Sequence, residues 1–299
     1  MKNVKIRVLL ALVALLLAVT GCRTVPVSGR TQFVVLTEGY ENNLGASSYM
    51  EYKNKYKPTS NERQQAVLKR VGQALAKASG QTRYVWEFNV LESPIQNAFC
   101  LPGGKVAVYN GLMKKFKNEA ELACVVAHEV GHAIARHGGE RMSWGYLKTI
   151  GSLGLSFANT TAQSVYGIGS EYGVMLPFSR SHETEADLIG LQLMAKAGYD
   201  PQAAIDFWQH FGSGSSDILS SITSTHPCDA DRVAELSVQL DVARMLYDQC
   251  VEKRGLGVRF KDGVPEGDEG TKQPPSTSAP TKAPTKAKPV PEPEIDVVI

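Results

Sequence analysis

Two histidines and a glutamate in one short stretch have the types and spacing that metal-dependent hydrolysis requires. The stretch reads His128-Glu129-Val130-Gly131-His132, an HExxH pattern. In an α-helix, side chains four positions apart project from the same face, so both imidazoles can reach one ion. Neutral imidazole nitrogens bind Zn²⁺, and a neighbouring glutamate can take a proton from metal-bound water. The pattern therefore predicts zinc ligands at His128 and His132 and a catalytic base at Glu129.

A catalytic zinc ion also needs a third protein ligand and one open position for water. His137 follows His132 by five residues, which is about 140° around a continuous helix, and it is predicted to point away from the metal. We interpret it as a charge at the helix end. Ala135 and Gly138 stand where the metzincin class of zinc peptidases has its glycine and its third histidine. That class is therefore excluded.

An acidic pair later in the chain offers a better third ligand. Glu183 and Asp187 are four residues apart near the start of a predicted helix, and Gly190 shares their face. Such a face can supply a carboxylate ligand, an aspartate that supports a metal-bound imidazole, and a glycine that allows close helix packing. Glu185 and His182 are rivals for the ligand role, although His182 is expected to be exposed.

Further motifs occur in the same order as in a known family. They are Asn97-Ala98-Phe99, Pro102-Gly103-Gly104, Gly111-Leu112 and Thr225-His226-Pro227 with Arg232. Together with HExxH and the acidic pair, they resemble the zinc metallopeptidase family that includes HtpX and the CAAX prenyl proteases. The resemblance covers roughly residues 59–250. It is nearest to the soluble lipoprotein branch that includes BepA and LoiP, because the multiple membrane spans of other members are not evident.

The resemblance implies a role for each of these side chains. Glu183 would be the third ligand of one Zn²⁺ per chain, with Asp187 as its partner, which makes the site a gluzincin. His226 would lie near the zinc, either as a donor in the transition state or as a fourth ligand that closes the site. Arg232 would lie in the last helix and pair with an active-site carboxylate. The implied reaction is the hydrolysis of peptide bonds.

The elements that position these residues follow from periodicity and end signals. Predicted helices cover about Ser47–Lys55, Thr59–Ser79, Asn118–Gly138, Ser181–Ala197, a helix from Asp200 onward and Asp229–Gln249, and predicted strands cover Tyr84–Leu91, Asn97–Leu101 and Lys105–Tyr109. The fold class is therefore α+β. We expect a mainly helical, zincin-like domain (a minigluzincin) with a small β-sheet packed near the HExxH helix.

The N-terminus resembles an export signal. Basic residues precede an apolar run at Val8–Val19, which is too short to span a bilayer as a helix. The run ends before Cys22 in a pattern that resembles a bacterial lipobox. The prediction is a lipoprotein signal peptide at residues 1–21, lipidation of Cys22, and anchoring at the outer membrane facing the periplasm. An ordinary cleaved signal peptide with an incidental cysteine is the alternative.

Composition divides the remainder of the chain. Residues 22–58 are interpreted as an N-terminal extension, 59–255 as the metallopeptidase domain, and 256–299 as a disordered tail rich in proline, lysine and threonine. The net charge is +2, and lysine and arginine are scattered among acidic residues. This pattern does not predict a nucleic-acid partner.

The sequence thus predicts a zinc-dependent endopeptidase of the bacterial cell envelope that degrades misfolded or misassembled proteins. A substrate could pair with the strand at 97–101 or with the strand at 105–109 by adding a strand to the sheet. Expected partners are these substrates, the membrane through the lipid, and the outer-membrane assembly machinery. The alternative is an envelope chaperone or assembly factor with little proteolysis, which would use the tail and the uncharged segment 149–170 as contacts.

Overall fold

The computed structural model describes residues 21–153, 179–212, 226 and 230–266. The predicted signal peptide, apart from Gly21, lies outside the described residues. So do residues 267–299 of the predicted tail and most of the uncharged segment 149–170. Among the described helices, none combines the length and the apolar character needed to cross a bilayer.

Helices predominate over short strands, which confirms the predicted α+β class. In chain order the elements are β1 (Cys22–Thr24), β2 (Thr31–Phe33), α1 (Glu38–Lys55), α2 (Glu62–Ser79), β3 (Glu87–Leu91), β4 (Ala98–Leu101), β5 (Lys105–Tyr109), α3 (Asn110–Met113), α4 (Glu119–Ile134), α5 (His137–Leu153), α6 (Arg180–Lys196), α7 (Gln202–Gly212), α8 (Ala230–Val238), α9 (Leu240–Gln249), β6 (Phe260–Lys261) and β7 (Val264–Pro265).

Helix α4 carries the HExxH stretch and is buried along most of its length. The Asn118 side chain caps its first turn by accepting a hydrogen bond from the Glu121 N–H. The helix ends at Ile134, and Arg136 adopts a left-handed backbone conformation with φ of 59°. Because a left-handed residue interrupts a right-handed helix, His137 begins a separate helix, α5.

Helix α6 packs against α4 at close range because glycines face the contact. A Cβ on Gly131 would lie 2.7 Å from the Ala186 carbonyl oxygen, and a Cβ on Gly190 would lie 2.9 Å from the His128 nitrogen. Both distances are too short for a methyl group beside rigid backbone. The close approach expected at Gly190 is therefore present, and it brings the acidic face of α6 against the HExxH stretch.

Three strands form a small sheet beside α4, in the order β3-β5-β4. Strand β5 runs parallel to β3 and antiparallel to β4, and all of its residues are buried. The other side of β3 is occupied, since the Gln65 side chain bonds the Phe88 carbonyl oxygen and the Val90 nitrogen, and Thr59 donates to the Val90 carbonyl. In the part of the chain that the structure describes, β4 pairs with β5 alone, and it packs against α4.

The segments that flank the predicted metallopeptidase domain are packed onto it. Helix α1 begins at Glu38, earlier than predicted, and its buried Tyr49 donates a hydrogen bond to the Val106 carbonyl. The β6–β7 hairpin lies within the segment for which disorder was predicted. It is held by hydrogen bonds from Phe260 to the Lys117 carbonyl and from Gln64 to Asp262. These tertiary contacts are not evident in local composition.

Cys22, the predicted lipidation site, is exposed at the start of β1. Strands β1 and β2 pair antiparallel, with Cys22 opposite Phe33. Together with their connecting turn they form the N-terminal hairpin, residues 22–33. Lipidation itself stays a prediction, which mass spectrometry of the mature protein can check.

Candidate active site

The two histidines of the HExxH stretch turn their rings towards one point, as their spacing on α4 requires. Their Nε2 atoms lie 3.1 Å apart, and both side chains are almost completely buried. Glu183 from α6 reaches the same point: its Oε2 lies 3.5 Å from His128 Nε2, and its Oε1 lies 3.4 Å from His132 Nε2. The close packing of α4 and α6 therefore supplies three potential metal ligands.

His226 completes the cluster, although it lies far along the chain from the other three residues. Its Nδ1 lies 3.3 Å from His128 Nε2 and 3.1 Å from Glu183 Oε1. The four side chains are buried and offer ligand atoms that all lie within 4.8 Å of one another. In the described part of the chain, no other group of three or more histidine, cysteine or acidic residues meets this condition.

The distances within the cluster match the coordination shell of zinc. Ligands held at about 2.0–2.1 Å from an ion in a tetrahedron lie about 3.3 Å from one another. The five separations given above span 3.1 to 3.5 Å. Imidazole nitrogens with one carboxylate are also the donor types that Zn²⁺ prefers. The residues present therefore fit a zinc ion.

The electrostatics of the cluster lead to the same conclusion. Burial alone would lower the pKa of His128, but the carboxylates of Asp187 and Glu183 outweigh it and raise that pKa to about 10. Glu183 Oε2 is buried without a hydrogen bond, and Arg232 Nη1 forms an ion pair with it at 3.0 Å. The cluster thus attracts positive charge, and a metal ion that binds here displaces a proton.

On the outer side of His128, an aspartate holds the ring. Asp187 Oδ1 lies 2.8 Å from His128 Nδ1, so the carboxylate accepts that N–H and leaves the Nε2 lone pair for a metal. Arg232 donates to both oxygens of Asp187, from Nε at 2.8 Å and from Nη2 at 2.9 Å. Trp208 of α7 packs against both the His128 ring and the Arg232 guanidinium. No motif pointed to Trp208.

On the outer side of His132, the neighbour is His137, and the interpretation of His137 as a helix-end charge is wrong. Its side chain is fully buried, and its Nδ1 lies 2.9 Å from His132 Nδ1. Burial lowers the pKa of His137 to about 4, so the ring is neutral at pH 7. The left-handed Arg136 ends α4 before His137, so the 140° of a continuous helix does not apply, although His137 lies outside the cluster of four, as its rejection as a ligand predicted.

The rivals for the third ligand lie outside the cluster of four. Glu185 Oε2 lies 3.0 Å from His137 Nε2, on the far side of that ring from the metal cluster. His182, expected to be exposed, is only 7% exposed, and its Nε2 lies 2.9 Å from Glu140. The two rings of His137 and His182 stack with centroids 4.3 Å apart. Glu185 and His182 are therefore parts of a buried polar network beside the cluster.

Glu129 occupies the position expected of a base next to the cluster. Its side chain is buried, and burial raises the pKa of its carboxyl above the usual value. Its Oε1 lies 3.4 Å from His226 Nε2. A carboxylate whose pKa is raised is a stronger base than one in water. The site can therefore combine a metal ion with proton transfer.

Comparison with known proteins finds one peptidase family and several metalloendopeptidases. The model of peptidase family M48 matches residues 62–239. The mitochondrial metalloendopeptidase OMA1 of Schizosaccharomyces pombe is 33% identical over 237 residues, covering 76% of this chain and 68% of that protein. OMA1 of Arabidopsis thaliana is 40% identical over 186 residues, covering 61% and 38%. The β-barrel assembly-enhancing protease of Escherichia coli is 26% identical over 247 residues, covering 77% and 50%.

These relatives correct the predicted location of the protein and narrow its predicted place within the family. The first two are mitochondrial by name, so the predicted location at a bacterial outer membrane is wrong. The resemblance to the BepA-like branch holds only as a distant relationship within the wider family. The family itself is established, because its model covers more than half of the chain. This chain belongs to peptidase family M48, a family of zinc-dependent metallopeptidases, and it is a zinc metalloendopeptidase of that family.

Proposed function

We propose that this metallopeptidase cleaves misfolded or misassembled proteins, with Glu129 as the general base and with His128, His132 and Glu183 as the zinc ligands. The observation that carries the proposal is the convergence of these buried side chains at separations of 3.1 to 3.5 Å, beside a buried carboxylate. The zinc that the family uses would lower the pKa of a water ligand towards ~7 and polarise the scissile carbonyl.

Glu129 is proposed to transfer the proton during the reaction. Glu129 takes the proton of the attacking water and delivers it to the nitrogen of the leaving amine. Burial raises its pKa above the usual value, which makes the carboxylate a stronger base for the first step. Asp187 and Arg232 keep His128 in the tautomer that a ligand needs.

His226 is proposed to be the second catalytic residue. Its Nε2 faces Glu129 while its Nδ1 lies at the fourth corner of the cluster. In this arrangement the ring closes the site, and a small withdrawal would let it donate to the developing negative charge of the scissile carbonyl. If His226 acts in this way, His226→Phe will lower kcat more than it changes KM.

Strand β4 is the proposed binding edge for an extended substrate. The sequence left two strands open for this role, but β5 is the central strand and is paired on both sides. Strand β3 is covered by Gln65 and Thr59. Among the described strands, β4 has a partner on one side only, and it packs against the helix that carries Glu129. Binding by strand addition reads the substrate backbone, which unfolded chains expose.

The class of substrate is inferred from this binding mode together with the relatives. A site that recognises extended backbone selects by lack of structure more than by side chain. One relative is, by its name, a protease that enhances β-barrel assembly. Both facts favour substrates that have failed to fold or assemble. The chaperone alternative predicts that such chains bind but are not cut.

The test compares two glutamate variants with the wild type and with a control. Glu129→Gln should bind zinc normally and lose cleavage of an unfolded, fluorescently labelled protein by at least 10²-fold, the usual size of a general-base contribution. Glu183→Gln should lose zinc, measured by elemental analysis of the purified protein. Glu62→Gln, an exposed glutamate of α2, is the control. Cleavage that survives in Glu129→Gln would falsify the proposed mechanism.

A further inference from the structure

A chain of contacts runs from the metal cluster to the N-terminal hairpin. His132 Nδ1 meets His137 Nδ1 at 2.9 Å, and His137 Nε2 meets Glu185 Oε2 at 3.0 Å. The other oxygen of Glu185 accepts a hydrogen bond from Arg30 Nε at 2.8 Å. Arg30 belongs to the hairpin, more than 100 residues before His132 and outside the region that the family model matches.

The order of donors along this chain follows from chemistry. Glu185 can only accept, so His137 carries its proton on Nε2 and presents a lone pair on Nδ1. The two Nδ1 atoms are close enough for a hydrogen bond, so one of them must carry a proton. Because His137 Nδ1 is the acceptor, that proton is on His132 Nδ1. With its proton on Nδ1, His132 has its Nε2 lone pair directed at the metal cluster. The chain therefore selects the tautomer that a zinc ligand requires.

The hairpin holds the carboxylate at the end of this chain with several bonds. Ser28 donates to the same Glu185 oxygen at 2.6 Å. Arg30 uses its two remaining nitrogens to bond both oxygens of Glu140, at 3.0 and 2.7 Å. His182 contacts Glu140 at 2.9 Å from α6. A planar guanidinium presents its donors in a fixed fork, so it orients two carboxylates more rigidly than an ammonium group on a flexible stem does.

The same N-terminal region also fixes the turn from which His137 projects. Gln32 donates to the Ala135 carbonyl at 2.8 Å. Arg136, the left-handed residue, bonds the Leu36 carbonyl and both oxygens of Glu41. A strained backbone conformation persists only where the surroundings hold it. The extension thus holds both the turn before His137 and the carboxylate beyond it.

From these contacts we infer that the N-terminal hairpin helps to position the zinc ligand His132. Arg30 positions Glu185, Glu185 positions His137, and His137 fixes the orientation and tautomer of His132. The inference rests on the proposed role of His132 as a zinc ligand. None of the three residues touches the reacting atoms, so all are positioning residues. Outer partners of metal-bound histidines typically change metal affinity by 10- to 100-fold when they are replaced.

The decisive test measures the zinc dissociation constant of the full chain by competition with a chromophoric chelator. His137→Ala should weaken zinc binding by 10- to 100-fold. His137→Asn should recover most of that loss, because its Oδ1 can accept the His132 N–H. His210→Ala, an exposed histidine of α7, is the control and should bind zinc like the wild type. The absorption spectrum of the Co²⁺-substituted protein should shift in the alanine variant and return in the asparagine variant.

The contribution of the hairpin is tested by Arg30→Gln, with Arg23→Gln on the same hairpin as the matched control. Arg23 is exposed, so its replacement should leave zinc binding unchanged. Arg30→Gln should weaken zinc binding by about tenfold, the lower end of the range for outer partners. If Arg30→Gln does not fold, Ser28→Ala tests the hairpin instead, because it removes the other hairpin bond to Glu185, and unchanged zinc affinity there would overturn the role of the hairpin.

The outcomes separate this inference from the proposed function. If the wild type holds one zinc and Glu183→Gln loses it, the proposed ligands stand. If in that case His137→Ala binds zinc like the wild type, or if the asparagine variant is as weak as the alanine variant, positioning by His137 is overturned. Wild-type zinc affinity in Arg30→Gln would overturn the role of the hairpin. A wild type that binds no zinc would overturn the proposed function itself.

Discussion

The two histidines of α4 differ in how their outer nitrogens are held. His128 is held directly by Asp187, which Arg232 holds in turn. His132 is held through a second ring, His137, before the carboxylate of Glu185 is reached. Both chains of contacts end on an arginine that pairs with two carboxylates, since Arg232 also forms an ion pair with Glu183 at 3.0 Å and Arg30 also bonds Glu140.

The difference lies in where the supporting residues come from. Asp187 sits one helical turn from Glu183 on α6, so the ligand and the support for His128 share one rigid element. The support for His132 joins the start of α5, the second turn of α6 and the N-terminal hairpin. A support built within one helix needs only that helix to pack. A support built from three elements also depends on how those elements dock.

The largest effect is expected when the direct support is removed. Asp187→Ala leaves the Arg232 guanidinium, which is 4% exposed, without its main partner. Breaking a buried ion pair in this way typically costs about 3–5 kcal/mol. We expect a loss of that size in the free energy of unfolding, together with 10- to 100-fold weaker zinc binding. Urea denaturation and chelator competition measure the two effects.

The double variant Asp187→Ala with Arg232→Met controls for the stranded charge. Its stability should recover towards that of the wild type, because no buried guanidinium remains, while zinc binding stays weak. A double variant that binds zinc normally would show that His128 needs no support. The two sides of the cluster would then not be comparable.

An intermediate effect is expected from a change that disturbs both supports together. Helix α6 carries Asp187 and Glu185, and Gly190 sets its distance from α4. Gly190→Ala would place a methyl group 2.9 Å from the His128 backbone nitrogen, and such overpacking typically costs about 1–3 kcal/mol. We expect a loss of that size in urea denaturation, with weaker zinc binding. Gly39→Ala on α1, where an added Cβ meets no atom within 4 Å, is the control.

The sequence predicts the direct support more readily than the indirect one, for a physical reason. HExxH and the acidic pair are spaced by helical turns, and their periodicity implies that both histidines and both carboxylates share faces. The structure brings His128, His132 and Glu183 together, with Asp187 and Arg232 beside them. Spacing within one helix depends only on nearby residues, so it can be predicted from the local sequence.

His137 illustrates what local patterns cannot carry. An angle of 140° assumes one continuous helix, whereas α4 ends at Ile134 and the left-handed Arg136 redirects the chain. That conformation is held by Glu41 and the Leu36 carbonyl, which are about 100 residues away in sequence. Arg30, the Ser28 hydroxyl and the packed β6–β7 hairpin are long-range features of the same kind. Nothing in their immediate sequence marks them.

The smallest effect concerns the outermost pair on the His132 side, and it depends on pH. Burial alone would raise the pKa of Glu140, but His182 and Arg30 outweigh it and lower that pKa to about 2. A carboxyl whose pKa is lower in the folded state stabilises the fold above its unfolded pKa of about 4.3. That contribution is lost as the pH falls towards 2. Because solvent screens the partly exposed pair of Arg30 and Glu140, we expect the Glu140 charge to contribute about 1 kcal/mol to the free energy of unfolding at pH 7.

Glu140→Gln removes this contribution and so reports on it directly. The wild type should be more stable than the variant at pH 7, and the difference should shrink as the pH falls below about 4.3. Urea denaturation at a series of pH values measures it, with Glu62→Gln as an exposed control that should show a smaller difference. A difference that does not change with pH would mean that Glu140 supports the hairpin by its shape rather than by its charge. In that case Arg30 would hold only Glu185 by charge, whereas Arg232 holds both Asp187 and Glu183 by charge.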